Sequence, residues 1–259
     1  MNKTVLKSME IIQLFFDETE LTLQQIVDKT KLPKTSAHRM AESLDQLGFL
    51  QKTDRHTYKL GLLLLRLGHL VAERLDVRKE ALPIMRKLKE ETGEAVNLVI
   101  KEKDEAVYIE KVDTTEHVRV YTQIGRRAPL YGGACPRIIL AYLPEPEKER
   151  IIEQMVFEKY ANGTILDKGK LRQVLKQSKE IGYAISHSEL QDYASAIAAP
   201  VFNHNGEVIA GLSLVGPQVR FQNEAHIQFL VNRLKQATET ISKRMGWKGD
   251  LEDDERSGF

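Results

Sequence analysis

The stretch from Leu21 to Leu60, LTLQQIVDKTKLPKTSAHRMAESLDQLGFLQKTDRHTYKL, limits what the chain can become, because its start, turn and stop signals come in a fixed order. Thr22 is a good N-cap, and Gln25 stands three residues later at capping-box spacing. Leu23, Ile26 and Val27 then form one apolar stripe on a helix that ends near Thr30. Pro33 has no N–H to lose at a helix start, so a second helix begins near Pro33 or Lys34 after a three-residue turn. Ala37, Met40, Leu44 and Leu47 share a narrow arc of that helix at 3.6 residues per turn. Gly48 is the stop, and Phe49-Leu50 leads into a strand.

The opposite face of the second helix decides what such a unit is for. Lys34, Thr35, His38 and Arg39, with Ser36 beside them, lie in its first two turns. Side chains there reach base edges when a recognition helix enters the major groove. Glu42 and Asp45 follow on the same face and would repel phosphates, so the far end lifts away. Residues 29–41 hold Lys29, Lys31, Lys34 and Arg39 and no acidic residue. A hairpin from Gln51 to Leu60 turns at Asp54-Arg55-His56 and carries Lys52, Arg55 and Lys59, which suits a wing along a phosphate backbone. A plain helical hairpin with a solvated face is the alternative. The joint occurrence of cap, turn, stop and basic hairpin favours a winged helix-turn-helix.

LPKTSAHRMAESLDQLGFL, followed by a short wing and YKLG, resembles the DNA-binding domain of IclR-type bacterial transcriptional regulators. Two later stretches, GRRAPLYGGACPRIILAYL and GYAISHSELQDYASAIAAPVFNHNGEVIAGLSLVGP, resemble the same family, so the likeness runs from about Thr4 to about Met245.

With 259 residues there is room for two domains. Lys and Arg total 38 against 37 Asp and Glu, a net +1, which argues against an RNA-coating or membrane-surface protein and leaves a local basic patch for double-stranded DNA. A single cysteine, Cys135, excludes an intrachain disulfide and a cysteine zinc site. No signal peptide is legible, and the leucine-rich run after Gly61 is too short to span a bilayer, so the expected compartment is the cytoplasm, with no membrane partner.

Thr4 to Phe16 reads as a first helix whose apolar residues, Val5, Leu6, Met9, Ile12 and Phe16, exceed one face. LLLLRLGHLVAERL, from Gly61 to about Leu75, is a linker helix with leucines on more than one face, which calls for burial against its own domains and a second copy. Beyond it come a helix at Glu80–Thr92, hairpin strands AVNLVI and AVYIEKV, and a third strand at His117–Gln123. Helices at Pro136–Leu143, Glu145–Lys159 and Asp167–Ile181 follow. Strands Ala196–Phe202 and Val208–Val215 are joined at Asn205-Gly206, and a last helix covers Asn223 to Met245. The fold class is therefore α+β: a winged helix-turn-helix at 1–60, a linker helix at 61–77, an antiparallel-sheet domain at 78–247 and a disordered acidic tail at 248–259.

Gly132-Gly133-Ala134-Cys135-Pro136 leads into an apolar helix, with Cys135 placed as N-cap by Pro136. Such an approach offers free N–H groups and the positive helix end to a small anion; a plain turn without ligand is the alternative. The family resemblance implies that the second domain is a GAF-like sensor of small carboxylates. It places the effector pocket at Gly133, Ala134, Cys135, Ser186, Ala196, Ser213 and Val215. Ser186 stands where many members have aspartate, Val215 where many have a hydroxyl, and Pro136 replaces a common glycine. The pocket is thus less polar than the family pattern, and a sugar acid or aromatic acid fits as well as a keto acid.

The expected function is a DNA-binding regulator, read as a repressor, that binds a pseudo-palindromic operator as a homodimer or dimer of dimers. It would need no cofactor, no metal and no catalytic residue. An enzyme using Cys135 is the first rival. No histidine is near it in sequence, and no nucleophile elbow or phosphate loop is present. A purely architectural DNA binder is the second, and it leaves the large second domain without a task.

Overall fold

In the computed structural model, which describes residues 2–73 and 76–249, the chain divides into two units, Met1–Arg74 and Leu75–Phe259. The first contains α1 (Lys3–Gln13), β1 (Leu21–Thr22), α2 (Leu23–Thr30), α3 (Lys34–Gln46), β2 (Leu50–Lys52), β3 (Thr57–Leu60) and α4 (Leu62–Glu73). The capping box is formed: the Thr22 hydroxyl accepts from the Gln25 amide at 3.2 Å, and the Gln25 side chain accepts from the Thr22 amide at 2.8 Å. Lys31 ends α2 in the left-handed region at φ 57°, and Pro33 caps α3. At the far end of α3 the Phe49 amide bonds the Leu44 carbonyl while Gly48 turns at φ 79°, so the glycine stop acts through backbone conformation. The three strands pair antiparallel in the order β1-β3-β2.

The core of this unit corrects two helix faces. Ala37, Ala41 and Leu44 are the buried residues of α3, whereas Leu47 is 63% exposed and Met40 only half-buried. In α1 the inward residue is Ile11, joined by Phe15 just after the helix, while Val5, Leu6, Met9 and Phe16 are exposed. Leu62, Leu65, Leu67 and Leu70 of α4 are exposed as well.

The second unit comprises α5 (Asp76–Thr92), β4 (Ala95–Glu102), β5 (Glu105–Val112), β6 (Arg127–Pro129), α6 (Ala134–Tyr142), α7 (Glu145–Gln154), α8 (Lys168–Ile181), β7 (Ala184–His187), β8 (Ala194–Phe202), β9 (Val208–Pro217) and α9 (Glu224–Arg244). Six strands form one antiparallel sheet in the order β6-β5-β4-β9-β8-β7. Period-2 alternation sends Val96, Leu98, Ile197, Leu212 and Leu214 toward α5 and α9, and Val99, Ala184 and Ala198 toward α6 and α8. Helices therefore cover both faces.

Several expected boundaries move. The helix expected at Glu80 already begins at Asp76 and carries Pro83 inside it. His117–Gln123 is no strand: the edge of β5 pairs with β6 instead, through Ala106 opposite Ala128. The helix from Glu145 stops at Gln154 rather than Lys159, and Phe157 beyond it packs on Tyr131 with ring centroids 4.8 Å apart. The strand β7 has no counterpart in the sequence reading. Asn205-Gly206 does join β8 to β9, but the Asn203 carboxamide oxygen accepts from the amides of Asn205 and Glu207, making a longer loop than a two-residue turn. No described helix is long and apolar enough to cross a membrane. Most of the expected acidic tail, from 250 onward, and positions 74–75 of the expected linker lie outside the described residues.

Candidate functional sites

On the first unit, Lys34, Thr35 and Arg39 are exposed in the first two turns of α3, with Ser36 and His38 half-exposed beside them. His38 Nε2 lies 3.3 Å from Glu42 Oε1, one turn on. Lys29 pairs with Glu18 at 2.6 Å, so this part of the expected positive patch is neutralised, while Lys31, Lys34 and Arg39 form no ion pair among the described residues. Asp45 has a task that the sequence reading missed. Its carboxylate accepts the Lys52 amide at 2.8 Å and so ties the hairpin to α3. Glu20 accepts from the Thr53 and Thr57 hydroxyls on the other flank, and chiefly the Thr57 bond holds its carboxyl below the usual range. Between these ties Tyr58 is buried, leaving Lys52, Arg55 and Lys59 exposed on a braced hairpin.

In the second unit all seven residues expected at a pocket line one cavity, whose free volume, open mouth included, is about 480 Å³. Strand register explains the grouping. Ser186 lies opposite Ala196 and Ala196 opposite Val215, while Ser213 lies opposite Asn97 and Ala198 in the next row. Small side chains along these rows leave space below the N-terminal end of α6. That helix begins at Ala134 with Gly133 as N-cap at φ 83°, so Cys135 is its second residue and not its cap. Gly211 permits the approach: a Cβ there would stand 2.9 Å from Cys135 Sγ and 3.1 Å from its carbonyl oxygen.

The Gly133 amide is already taken, donating to Glu189 Oε2 at 2.9 Å. The other carboxylate oxygen accepts from Arg137 Nη2 at 2.8 Å, and the same Nη2 donates to the Ile185 carbonyl oxygen. Both side chains are buried. Burial pushes the Glu189 carboxyl up, against the pull of Arg137 and the Gly133 amide. The Ala134 and Cys135 amides belong to the first turn of α6 and have no partner within it.

Two patterns of the IclR family match this chain: "IclR helix-turn-helix domain" over residues 4–54 and "Bacterial transcriptional regulator IclR C-terminal" over residues 69–243. The chain belongs to the IclR family of bacterial transcriptional regulators. It is 46% identical over 246 residues to the HTH-type transcriptional regulator KipR of Bacillus subtilis, covering 95% of this chain and 98% of that protein. The crystal structure of the Thermotoga maritima IclR superposes with a TM-score of 0.81 at 27% identity, over 94% of this chain and 99% of that one. An IclR homolog of Microbacterium hydrocarbonoxydans, crystallised with 4-hydroxybenzoate, shares the fold with a TM-score of 0.82 at 24% identity, over 94% and 99% of the two chains.

As an IclR-family C-terminal domain, the second unit has a cavity wall with residues that the sequence reading did not name: Asn97, Tyr108, Thr122, Arg126, Glu189 and Ser195. The Thr122 hydroxyl donates to the Asn97 side-chain oxygen at 2.7 Å and so holds the loop 113–126 over the cavity. Only the alternation of Val120 and Thr122 hinted at this. Both are buried while Tyr121 between them is exposed, but they face the cavity instead of a neighbouring strand. The thiol of Cys135 is buried beside Ser213, and burial pushes it up to about 12. A thiolate nucleophile is therefore strongly disfavoured there.

Proposed function

We propose that this IclR-family regulator binds a pseudo-palindromic operator as a homodimer, and that a small organic acid in the C-terminal cavity changes its DNA affinity, most simply as a repressor released by its ligand. The observation that carries the reading is the convergence of all seven expected residues on one cavity at the N-terminal end of α6. There the Ala134 and Cys135 amides are available to a carboxylate, and the Ser213 hydroxyl stands across from them. The acid bound by the Microbacterium homolog supports a carboxylate as the kind of ligand this fold accepts. Exposed apolar residues on α1, just after it and on α4, among them Phe16 at 76% and Leu62 at 78%, support a second copy of the chain as partner. A regulator needs no catalytic group, and the high pKa of Cys135 supports the non-enzymatic reading.

The DNA half of this reading is tested by selecting bound sequences from a random duplex pool and titrating the winner. Selected sites should be inverted repeats with half-sites a helical turn or a multiple apart. Arg39→Ala should weaken the selected site by ~1–3 kcal/mol with little effect on random DNA. Lys52→Ala or Arg55→Ala should weaken both alike and lower the salt slope. Arg39→Ala binding as tightly as wild type at matched salt would count against α3 as the reading helix.

A further inference from the structure

The cavity has a second polar group in its lining, Arg126. Arg126 and Arg127 are consecutive in sequence, yet their surroundings differ. Arg127 donates to Glu102 at 2.5 Å and to Glu105 at 2.7 Å, so its charge is matched twice, at the adjoining ends of β4 and β5. Arg126 forms no ion pair among the described residues. Its guanidinium instead sits 5.8 Å from the centre of the Tyr108 ring, where it lines the cavity together with Ala134, Cys135 and Thr122. The backbone fixes it there. The Arg126 amide donates to the Gln123 carbonyl at 3.2 Å, the Tyr108 amide donates to the Arg126 carbonyl at 3.0 Å, and the Gly125 amide donates to the Tyr108 carbonyl at 2.7 Å.

Charge around the cavity is therefore uneven. The lining has two ionisable side chains of opposite formal charge at neutral pH, Arg126 and Glu189. Glu189 is matched by buried Arg137 behind the wall and by the Gly133 amide. Arg126 is left without an ion pair among the described residues, half-buried, with its guanidinium beside the Tyr108 ring. A guanidinium partly withdrawn from water binds carboxylate in two-pronged, charge-assisted geometry. The Ala134 and Cys135 amides at the start of α6 can hold one carboxylate but supply only partial charges.

We propose that Arg126 is a specificity-determining residue of the cavity, which holds the second anionic group of a two-ended acid whose first carboxylate lies against the Ala134 and Cys135 amides. The ligand class is then a short dicarboxylate. This rests on the reading of the cavity as the effector site, and the experiment separates the two.

Calorimetry on the full chain compares butanoate with succinate and benzoate with terephthalate, in wild type, Arg126→Gln and Arg126→Lys. In at least one pair the diacid should bind wild type roughly tenfold tighter or more. Arg126→Gln should close that gap and leave the monoacid affinity unchanged, while Arg126→Lys, a point charge without the fork, should keep part of it. Equal affinities within both pairs in wild type would overturn the proposal, as would a gap that survives Arg126→Gln. Were Arg126→Gln not to fold, an undiminished gap in Arg126→Lys would overturn it equally. Monoacid binding without any gap removes the role of Arg126 alone. No binding by any of the four acids removes the effector reading as well as the role of Arg126.

Discussion

Cys135 illustrates how one residue's surroundings overrule its local sequence. A cysteine in the first turn of a helix has its thiolate favoured by the dipole, yet desolvation dominates here and the thiol rises to about 12. Native protein should therefore react with iodoacetamide at pH 8 far more slowly than an exposed thiol, as read by mass spectrometry, and should label readily once unfolded. Labelling of the native chain within minutes would contradict the burial. Glu189 and Arg137 make a buried pair whose guanidinium Nε and Nη1 find no protein acceptor, so the pair supplies position more than stability. Removing one partner by Glu189→Ala should cost ~3–5 kcal/mol, and Arg137→Met with Glu189→Leu should recover much of that. Trp247, the single tryptophan, packs on Phe202 at 5.3 Å between ring centroids in the same unit, so its fluorescence in urea reports both variants.

At the scale of elements, the legible parts were those whose signals are local. The capping box of α2, the glycine stop after α3 and the β8–β9 connection are set by residues within a few positions of each other. Less was legible where a partner distant in sequence decides. Asp45 reads locally as a residue that repels phosphates, and its bond to the Lys52 amide adds a brace that only the folded hairpin reveals. The segment 117–123 alternates like a strand because Val120 and Thr122 face a cavity, and β7 is too short for any period to be visible. Gly211 inside β9 is of the same kind, since α6 alone gives it a reason. Gly211→Ala should push α6 from the sheet and cost ~1–3 kcal/mol as overpacking, with the largest structural change at the loop amides. A stability equal to wild type in the same fluorescence assay would show that the helix yields without cost.

For the whole molecule, two units and their classes were legible because a winged helix ends where leucine-rich helix begins and the strands beyond it read as hairpins. The seven cavity residues came from family resemblance, and the register of β4, β7, β8 and β9 explains why positions so far apart in sequence meet. Arg126, Glu189 and Asn97 gave no such signal, since single charged or polar residues are common on any surface. If the cavity and the recognition helix serve one regulator, linkage requires that a ligand which weakens DNA binding be itself bound less tightly by the DNA complex, by the same factor. Fluorescence anisotropy of the selected operator, titrated with the full chain with and without a saturating acid that binds it, measures this directly. The account predicts a shift in DNA affinity of roughly five- to 150-fold with wild type, and none with Ala134→Trp, whose DNA binding without acid is unchanged. The same DNA affinity with and without an acid that occupies the wild-type cavity would contradict it.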